Sequence, residues 1–300
     1  MGEVQDVKYY GQRSTRMKTV MVTGSGGYIG SHVVEELARE SGVQVLAFDS
    51  REKTSSNPQV TCIAADLLSD EFDLSTYCDE VPDVCLHLAW RNGFAHNDSS
   101  HMLDLSGHYR FLEHLMDAGV RQIACMGTMH EVGYWEGAID EHTPCNPQSL
   151  YGVAKNALRQ SFLLLAKQRG VNAQWLRAFY IYGDDAASQS IFGKLLRASQ
   201  DGATVFPFTS GKNKFDFIEV RTLARQIARC VLQDDVLGII NCCSGEPVSL
   251  GERVEGFIRE HGLDIALDYG AYPDRPYDSP AVWGDSGKID RIIAASAGSR

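Results

Sequence analysis

The sequence predicts an α/β protein: a doubly wound parallel sheet with a smaller α/β unit toward the C-terminus. Two observations carry this expectation. Short β-branched runs alternate with amphipathic segments through much of the chain, the pattern of βα units whose sheet is covered by helices on both faces. The first run leads straight into "TGSGGYIG", Thr23 to Gly30, a glycine-rich turn between a strand and a helix, as in Rossmann-type dinucleotide-binding folds.

The elements follow in order. Residues 1 to 16 lack apolar periodicity and are expected to form an appendage. "KTVMVTG" then reads as a buried strand, 28 to 40 as a helix, and "VQVLAFD", "QVTCIAAD" and "DVCLHLAW" as strands. A helix over 101 to 118, a strand "RQIACMGT", a helix over 149 to 168 and a strand "NAQWLRAFY" complete the first part. After Gly183 the rhythm loosens. Helices are expected near 190 to 200, 221 to 233, 249 to 262 and 286 to 296, with extended stretches at "GATVFPF", "GKNKFDFIEV" and "GIINCCS". The reading assigns 17–182 to a dinucleotide-binding domain to which 213–244 returns, and 183–212 with 245–300 to a substrate-binding domain.

Composition narrows the function classes. Three hundred residues, 44% hydrophobic and 22% charged, suit a globular chain with a substantial core. No run approaches the roughly 20 apolar residues of a membrane helix, and the polar N-terminus has no signal-peptide core. A cytoplasmic location is expected. The eight cysteines are scattered without a CxxC pair and read as reduced, with no metal site. A net charge of -11 disfavours nucleic acid or an anionic membrane as partner. An anionic ligand must therefore meet local cations and helix N-termini.

The glycine turn departs from the strict G-x-G-x-x-G spacing because Ile29 stands at the third glycine position. Gly24, Gly27 and Gly30 fit a shifted spacing, and the helix from Tyr28 points its N-terminus at a pyrophosphate. Asp49, at the end of the next strand and followed by Ser50 and Arg51, lies where an acid binds a ribose 2′-hydroxyl and repels a 2′-phosphate. NAD is favoured over NADP, although Arg51 could accommodate the phosphate. Asp66, followed by Leu67, ends the third strand and reads equally as a cofactor contact or a helix N-cap.

Tyr151 and Lys155 stand four apart, on one helix face. An ammonium beside a phenol favours the phenolate and is expected to lower its pKa from about 10, making the tyrosine a usable acid/base. Thr128 ends a strand at the carboxyl edge of the sheet, where its hydroxyl can hydrogen-bond a substrate oxygen.

Together these residues resemble the extended short-chain dehydrogenase/reductases of the NAD-dependent epimerase/dehydratase family, from about Lys18 to Ile292. The glycine triad matches. "LHLAW", with Leu88, Ala89 and Trp90, resembles the cofactor-lining "HLAA", and "LRAFYIYG", with Phe179, resembles "LRYFNVYG". The resemblance implies Thr128, Tyr151 and Lys155 as the catalytic set, with Lys155 also holding the nicotinamide ribose. It also implies a nucleoside-diphosphate sugar as substrate and a homodimer formed through the two helices around 101–118 and 149–168. Arg275 in "RPYD" corresponds to an arginine that holds the sugar-nucleotide diphosphate in UDP-galactose 4-epimerases.

The departures bear on the reaction. Family dehydratases place two acids after the catalytic threonine; here Met129 and His130 follow Thr128, which disfavours dehydration. "GTMHEVG" is instead similar to the "GTxxEYG" of 4-keto-6-deoxyhexose reductases, with His130 as a candidate substrate contact. Tyr180 replaces a substrate-binding asparagine, and Lys214 with Phe215 replaces an arginine, so sugar and nucleotide contacts are expected to differ. The expected activity is a 4-ketoreductase, the alternatives being a 4-epimerase that retains its NAD and a non-catalytic dinucleotide sensor. Trp90 and Tyr182 read equally as nicotinamide contacts or core. His87, His101, His108 and His114 show no metal-ligand pattern.

Overall fold

A computed structural model describes residues 16–183, 189–274 and 278–298. It opens with β1 (Lys18–Thr23), α1 (Tyr28–Leu37), β2 (Val43–Asp49), β3 (Val60–Ala64) and β4 (Val84–His87). Next come α2 (Ser100–Leu103), α3 (Leu105–Asp117), β5 (Gln122–Thr128), β6 (Gly137–Ile139), α4 (Leu150–Arg169), β7 (Asn172–Ala178) and β8 (Tyr180–Tyr182). The rest comprises α5 (Ile191–Gln200), β9 (Val205–Pro207), β10 (Lys214–Glu219), α6 (Val220–Leu232), β11 (Gly238–Cys242) and β12 (Pro247–Ser249). It closes with α7 (Leu250–Glu260), β13 (Ala266–Asp268), β14 (Ala281–Gly284) and α8 (Gly287–Ala297).

Seven strands form the central sheet in the order β11-β7-β5-β4-β1-β2-β3, with every pairing parallel. The chain builds outward in both directions from β1 and β4. Their carboxyl ends therefore flank the crevice where ligands of open α/β sheets bind.

Both faces of the sheet are covered, as the near-continuous apolar strands require. Along β1 the side chains alternate: Val20 and Val22 join a cluster with Val33 and Leu37 of α1, Leu223 and Ile227 of α6 and Ile289 of α8. Met21 points the other way, into Phe111 and Leu115 of α3 and Leu158 and Phe162 of α4. Each such fully buried side chain contributes about 1.5–3 kcal/mol of transfer free energy, which locks the strand register.

A smaller sheet runs β12-β10-β14-β6, with β8 beside β10, and β9 pairs with β13. A third cluster, around Phe179, Phe192, Phe215, Phe217 and Phe257, fills the space beneath it. Within 213–244, α6 and β11 pack on the central sheet while β10 lies in the smaller one. The helix expected over 101–118 divides at Asp104, the C-cap of α2 and the residue preceding α3. All eight cysteines are free, and among the described residues no helix is long and apolar enough to cross a membrane.

Candidate active site

The glycine turn behaves as its spacing predicts. Gly24 has φ +65°, and a Cβ there would lie 2.8 Å from the backbone of Ala89. A Cβ on Gly30 would collide with the Gly24 carbonyl, so the turn and α1 touch backbone to backbone. Gly27 precedes α1 without any side-chain cap, which leaves first-turn N–H groups of the helix for an anion. Tyr28 opens α1, its phenol lying over Gly183, and Ile29 packs on the core of the sheet. This cradle, open only because glycines form it, fits a dinucleotide pyrophosphate.

Asp49 is buried, accepting from Gly26 N–H at 2.9 Å and Arg51 N–H at 3.2 Å. Its carboxylate is thereby fixed at the end of β2, with the Arg51 guanidinium 3.6 Å away and largely exposed. Ser50 is exposed beside it. Asp66 accepts from Leu68 N–H at 3.2 Å, capping a turn and not a helix, while Leu67 is buried. Leu88 N–H and Ala89 N–H both donate to the Thr23 hydroxyl at 3.2 Å, tying the segment after β4 to the end of β1.

Thr128, Tyr151 and Lys155 come together because two elements meet end to end. Thr128 closes β5 in a capping box: its hydroxyl accepts from His130 N–H, and Glu131 accepts from Thr128 N–H at 2.6 Å. Ser149 caps α4, and a Cβ on Gly152 would strike the His130 carbonyl, so the first turn of α4 sits tightly against this segment. Tyr151 N–H donates to the His96 carbonyl at 2.8 Å and Leu150 N–H to the Asn97 side chain at 3.2 Å. The 91–99 loop is thus pinned over the start of the helix.

The electrostatics correct one expectation. Tyr151 is half-buried, and burial pushes its pKa up to about 12; a hydrogen bond with Thr128 opposes this and Glu131 adds to it. Lys155 is not among the causes. Its Nζ donates to the Met126 carbonyl at 2.8 Å and lies 3.8 Å from the centre of the Trp90 ring. Burial lowers its own pKa to about 8, against Cys125 and Glu131, which favour the charged form. In this state the tyrosine is held as the protonated acid.

Trp90 is placed at the site, edge-on to Tyr151 at 6.2 Å and stacked on His108 at 4.4 Å. His130 lies 6.1 Å from the Tyr151 ring, its pKa lowered to about 4 by burial and by His96. Sequence reasoning missed two residues of this cluster. His96 stacks on Tyr151 at 5.4 Å, and His101, whose Nδ1 accepts from Trp90 Nε1–H at 3.1 Å, lies 5.2 Å from the same ring. Beneath them His87 joins Thr23 at 2.8 Å and His108 at 2.9 Å.

Other expected residues lie apart from this cluster. Tyr180 packs on Phe215 at 4.3 Å in the smaller sheet, and Lys214 is exposed at the start of β10. The Phe179 side chain is buried beside Cys243 and Gly284, so only its backbone could face a cofactor. Tyr182 packs on Phe192 under Arg253. Arg275 lies outside the described residues.

A parallel doubly wound sheet with an uncapped helix over a glycine cradle, and a threonine, tyrosine and lysine at its carboxyl edge, defines a Rossmann-type enzyme of the extended short-chain dehydrogenase/reductase class. The chain belongs to the NAD-dependent epimerase/dehydratase family, whose model matches residues 20–243. It is 41% identical over 268 residues to the dTDP-6-deoxy-L-talose 4-dehydrogenase (NAD(+)) of Aggregatibacter actinomycetemcomitans, covering 88% of this chain and 98% of that protein. It is 24% identical to a UDP-glucose 4-epimerase of Lactobacillus helveticus, covering 91% of this chain and 90% of that one. Among solved structures it is similar to MoeE5 in complex with UDP-glucuronic acid and NAD, with a TM-score of 0.76, 26% identity and 92% of each chain covered. The family is one of enzymes, which replaces the sensor alternative.

Proposed function

We propose that the chain interconverts the 4-ketone and 4-alcohol of a nucleoside-diphosphate 6-deoxyhexose, acting as a 4-ketoreductase with NADH or, in reverse, as a 4-dehydrogenase with NAD. The observation that carries this is Thr128 at the end of β5 set beside Tyr151 and Lys155 of α4, with Met129 and His130 where a dehydratase would need two acids. The 41% identity to a protein named for oxidation at C4 of a dTDP-6-deoxyhexose supports the same carbon and substrate class.

Bound NADH supplies the hydride. Tyr151 gives its phenolic proton to the sugar oxygen at C4, and Thr128 holds that oxygen in line. Lys155, charged below about pH 8, steadies the nicotinamide ribose. Asp49 receives the adenosine ribose and disfavours a 2′-phosphate. His130, Tyr180, Lys214 and Arg275 are the proposed sugar and nucleotide contacts. We place a second copy of the chain against α2, α3 and α4. The eight free cysteines go with a cytoplasmic location. The similarity to a UDP-glucose 4-epimerase supports a second reading, in which the chain would retain its NAD and invert the configuration at C4 with no net redox change.

Incubation of the purified chain with NADH and a dTDP-4-keto-6-deoxyhexose distinguishes the two. Stoichiometric loss of NADH absorbance is expected; interconversion of two sugars without net NADH loss would establish the epimerase. Tyr151→Phe should lower kcat by roughly 10²–10⁴-fold while leaving NADH binding, read by fluorescence, unchanged. Full activity in that variant would refute the proton-transfer role.

A further inference from the structure

Beneath Thr128 lies a carboxylate that the reaction as drawn does not use. Glu131 has no exposed surface. Its Oε1 accepts from Thr128 N–H at 2.6 Å and from Trp175 Nε1 at 2.9 Å, and its Oε2 lies 3.0 Å from the same indole nitrogen. Arg159 of α4 and Arg177 of β7 approach Oε2 to 3.5 and 3.6 Å. Arg159 stands four residues beyond Lys155 and eight beyond Tyr151, so one face of α4 carries all three.

A buried carboxylate is costly unless its partners are well placed, and the chain makes room for this one. A Cβ on Gly127 would fall on the Trp175 indole nitrogen and 2.8 Å from Glu131 Oε1. Arg159 approaches Glu131 through Nε and Arg177 through Nη2, and Nε of neither arginine makes a hydrogen bond among the described residues. The carboxylate thus joins the end of β5 to the catalytic face of α4 through charge as well as through the capping box.

We propose that Glu131 is the positioning residue of the site: shared between the Thr128 backbone and the Arg159 and Arg177 guanidiniums, it holds Thr128 in register with Tyr151 and Lys155 and sets the charge those two side chains meet. The inference rests on Tyr151 as the proton donor. The direction of the electrostatics agrees with the geometry, since Glu131 both raises the Tyr151 pKa and favours the charged form of Lys155. The groups facing this pair are Arg159 on α4, Arg177 on β7, Cys125 on β5, His87 on β4, His108 on α3 and His96, His101 and His130 around the phenol.

The test is a pair of variants with opposite expected signs. In protein labelled at tyrosine Cζ with ¹³C, the Tyr151 signal is assigned by its loss in Tyr151→Phe. Glu131→Gln keeps an acceptor for Thr128 N–H and removes the charge, so the Tyr151 signal should begin to titrate roughly one pH unit lower than in the wild type. Arg159→Met removes a cation that offsets Glu131 and should move it the other way, which keeps the test decisive if Glu131→Gln does not fold. A merely structural role would lower the melting temperature in both variants and leave the titration unmoved, and that result, or shifts of the same sign, would overturn the proposal. The titration needs no substrate, so a wrong sugar would show only in the turnover assay.

Discussion

At the residue scale the glycine turn leaves no room for a side chain. An added Cβ on Gly30 meets only backbone: the Gly24 carbonyl, with the Gly24 carbon and Ser25 Cα both at 3.0 Å. No flexible side chain can move aside, so Gly30→Ala must open the turn or push α1 off the sheet. We expect a stability loss of about 1–3 kcal/mol and at least a tenfold weaker NADH affinity. Fluorescence titration together with thermal unfolding checks both, and unaltered NADH affinity in the folded variant would remove the turn from the dinucleotide site. This turn, Asp49, Thr128, Tyr151 and Lys155 were legible in the sequence because backbone freedom, charge and helical spacing each leave a local mark. His96 and His101 were not, since a loop brings them to Tyr151 and its closure rests on backbone atoms, the His96 carbonyl and Tyr151 N–H. The raised phenol pKa was equally hidden. Spacing puts Lys155 near Tyr151, but only the folded chain shows its ammonium turned to Met126 and Trp90, leaving burial to decide.

At the scale of elements, the strands of the central sheet were readable because burial on both faces writes continuous apolar runs. The smaller sheet was largely not. β6, β8 and β12 are three residues each and β14 four, too short to establish a period of two. The helices offer a sharper case. α2, α3 and α4 pack together, yet Leu103 remains 73% and Leu164 63% exposed. Isolated exposed leucines are common, but two on adjoining helices suit a face that meets a second copy of the chain. Leu103→Glu with Leu164→Glu should then convert a dimer into a monomer of unchanged helical content, as read by sedimentation and circular dichroism. A wild-type chain that sediments as a monomer across a wide concentration range would discard the dimer.

At the scale of the whole molecule, the packing that builds the site also fixes how stability depends on pH. Three histidines are kept neutral below their ordinary pKa of 6.5 by burial first of all: His108 at about 3, His130 at about 4, and His87 well below normal. Neighbours add to this, His108 and Lys155 for His87, Lys155 and Arg91 for His108, and His96 for His130. Unfolding frees each imidazole to bind a proton at 6.5, so the unfolded chain holds more protons throughout the interval below that pH. Stability is therefore complete above about 6.5 and falls as pH drops toward the folded values, by up to about 1.4 kcal/mol per pH unit for each proton taken up. Asp98 and Asp140, whose pKa values are lowered from 3.8 by hydrogen bonds from Ser100 and Thr143, lose their contribution only at lower pH. Lys155 works at the other end. Its pKa falls from 10.5 to about 8 on folding, so the unfolded chain again binds the extra proton and stability rises with pH between those values. Thermal unfolding should thus show a steep loss from about pH 6.5 to 4.5, ahead of any carboxylate effect. Above about pH 8 the Lys155 gain is opposed by Cys85, Cys125, Cys242 and Cys243. Their thiol pKa values are raised by burial, and at Cys242 first by a hydrogen bond with Cys230, so that the folded chain holds the extra protons. His108→Asn should flatten the acid limb, since the unfolded chain then takes up one proton fewer. A melting temperature that stays level from pH 6.5 to 4.5, or an acid limb equally steep in that variant, would mean that the imidazole network does not set the acid stability of the fold.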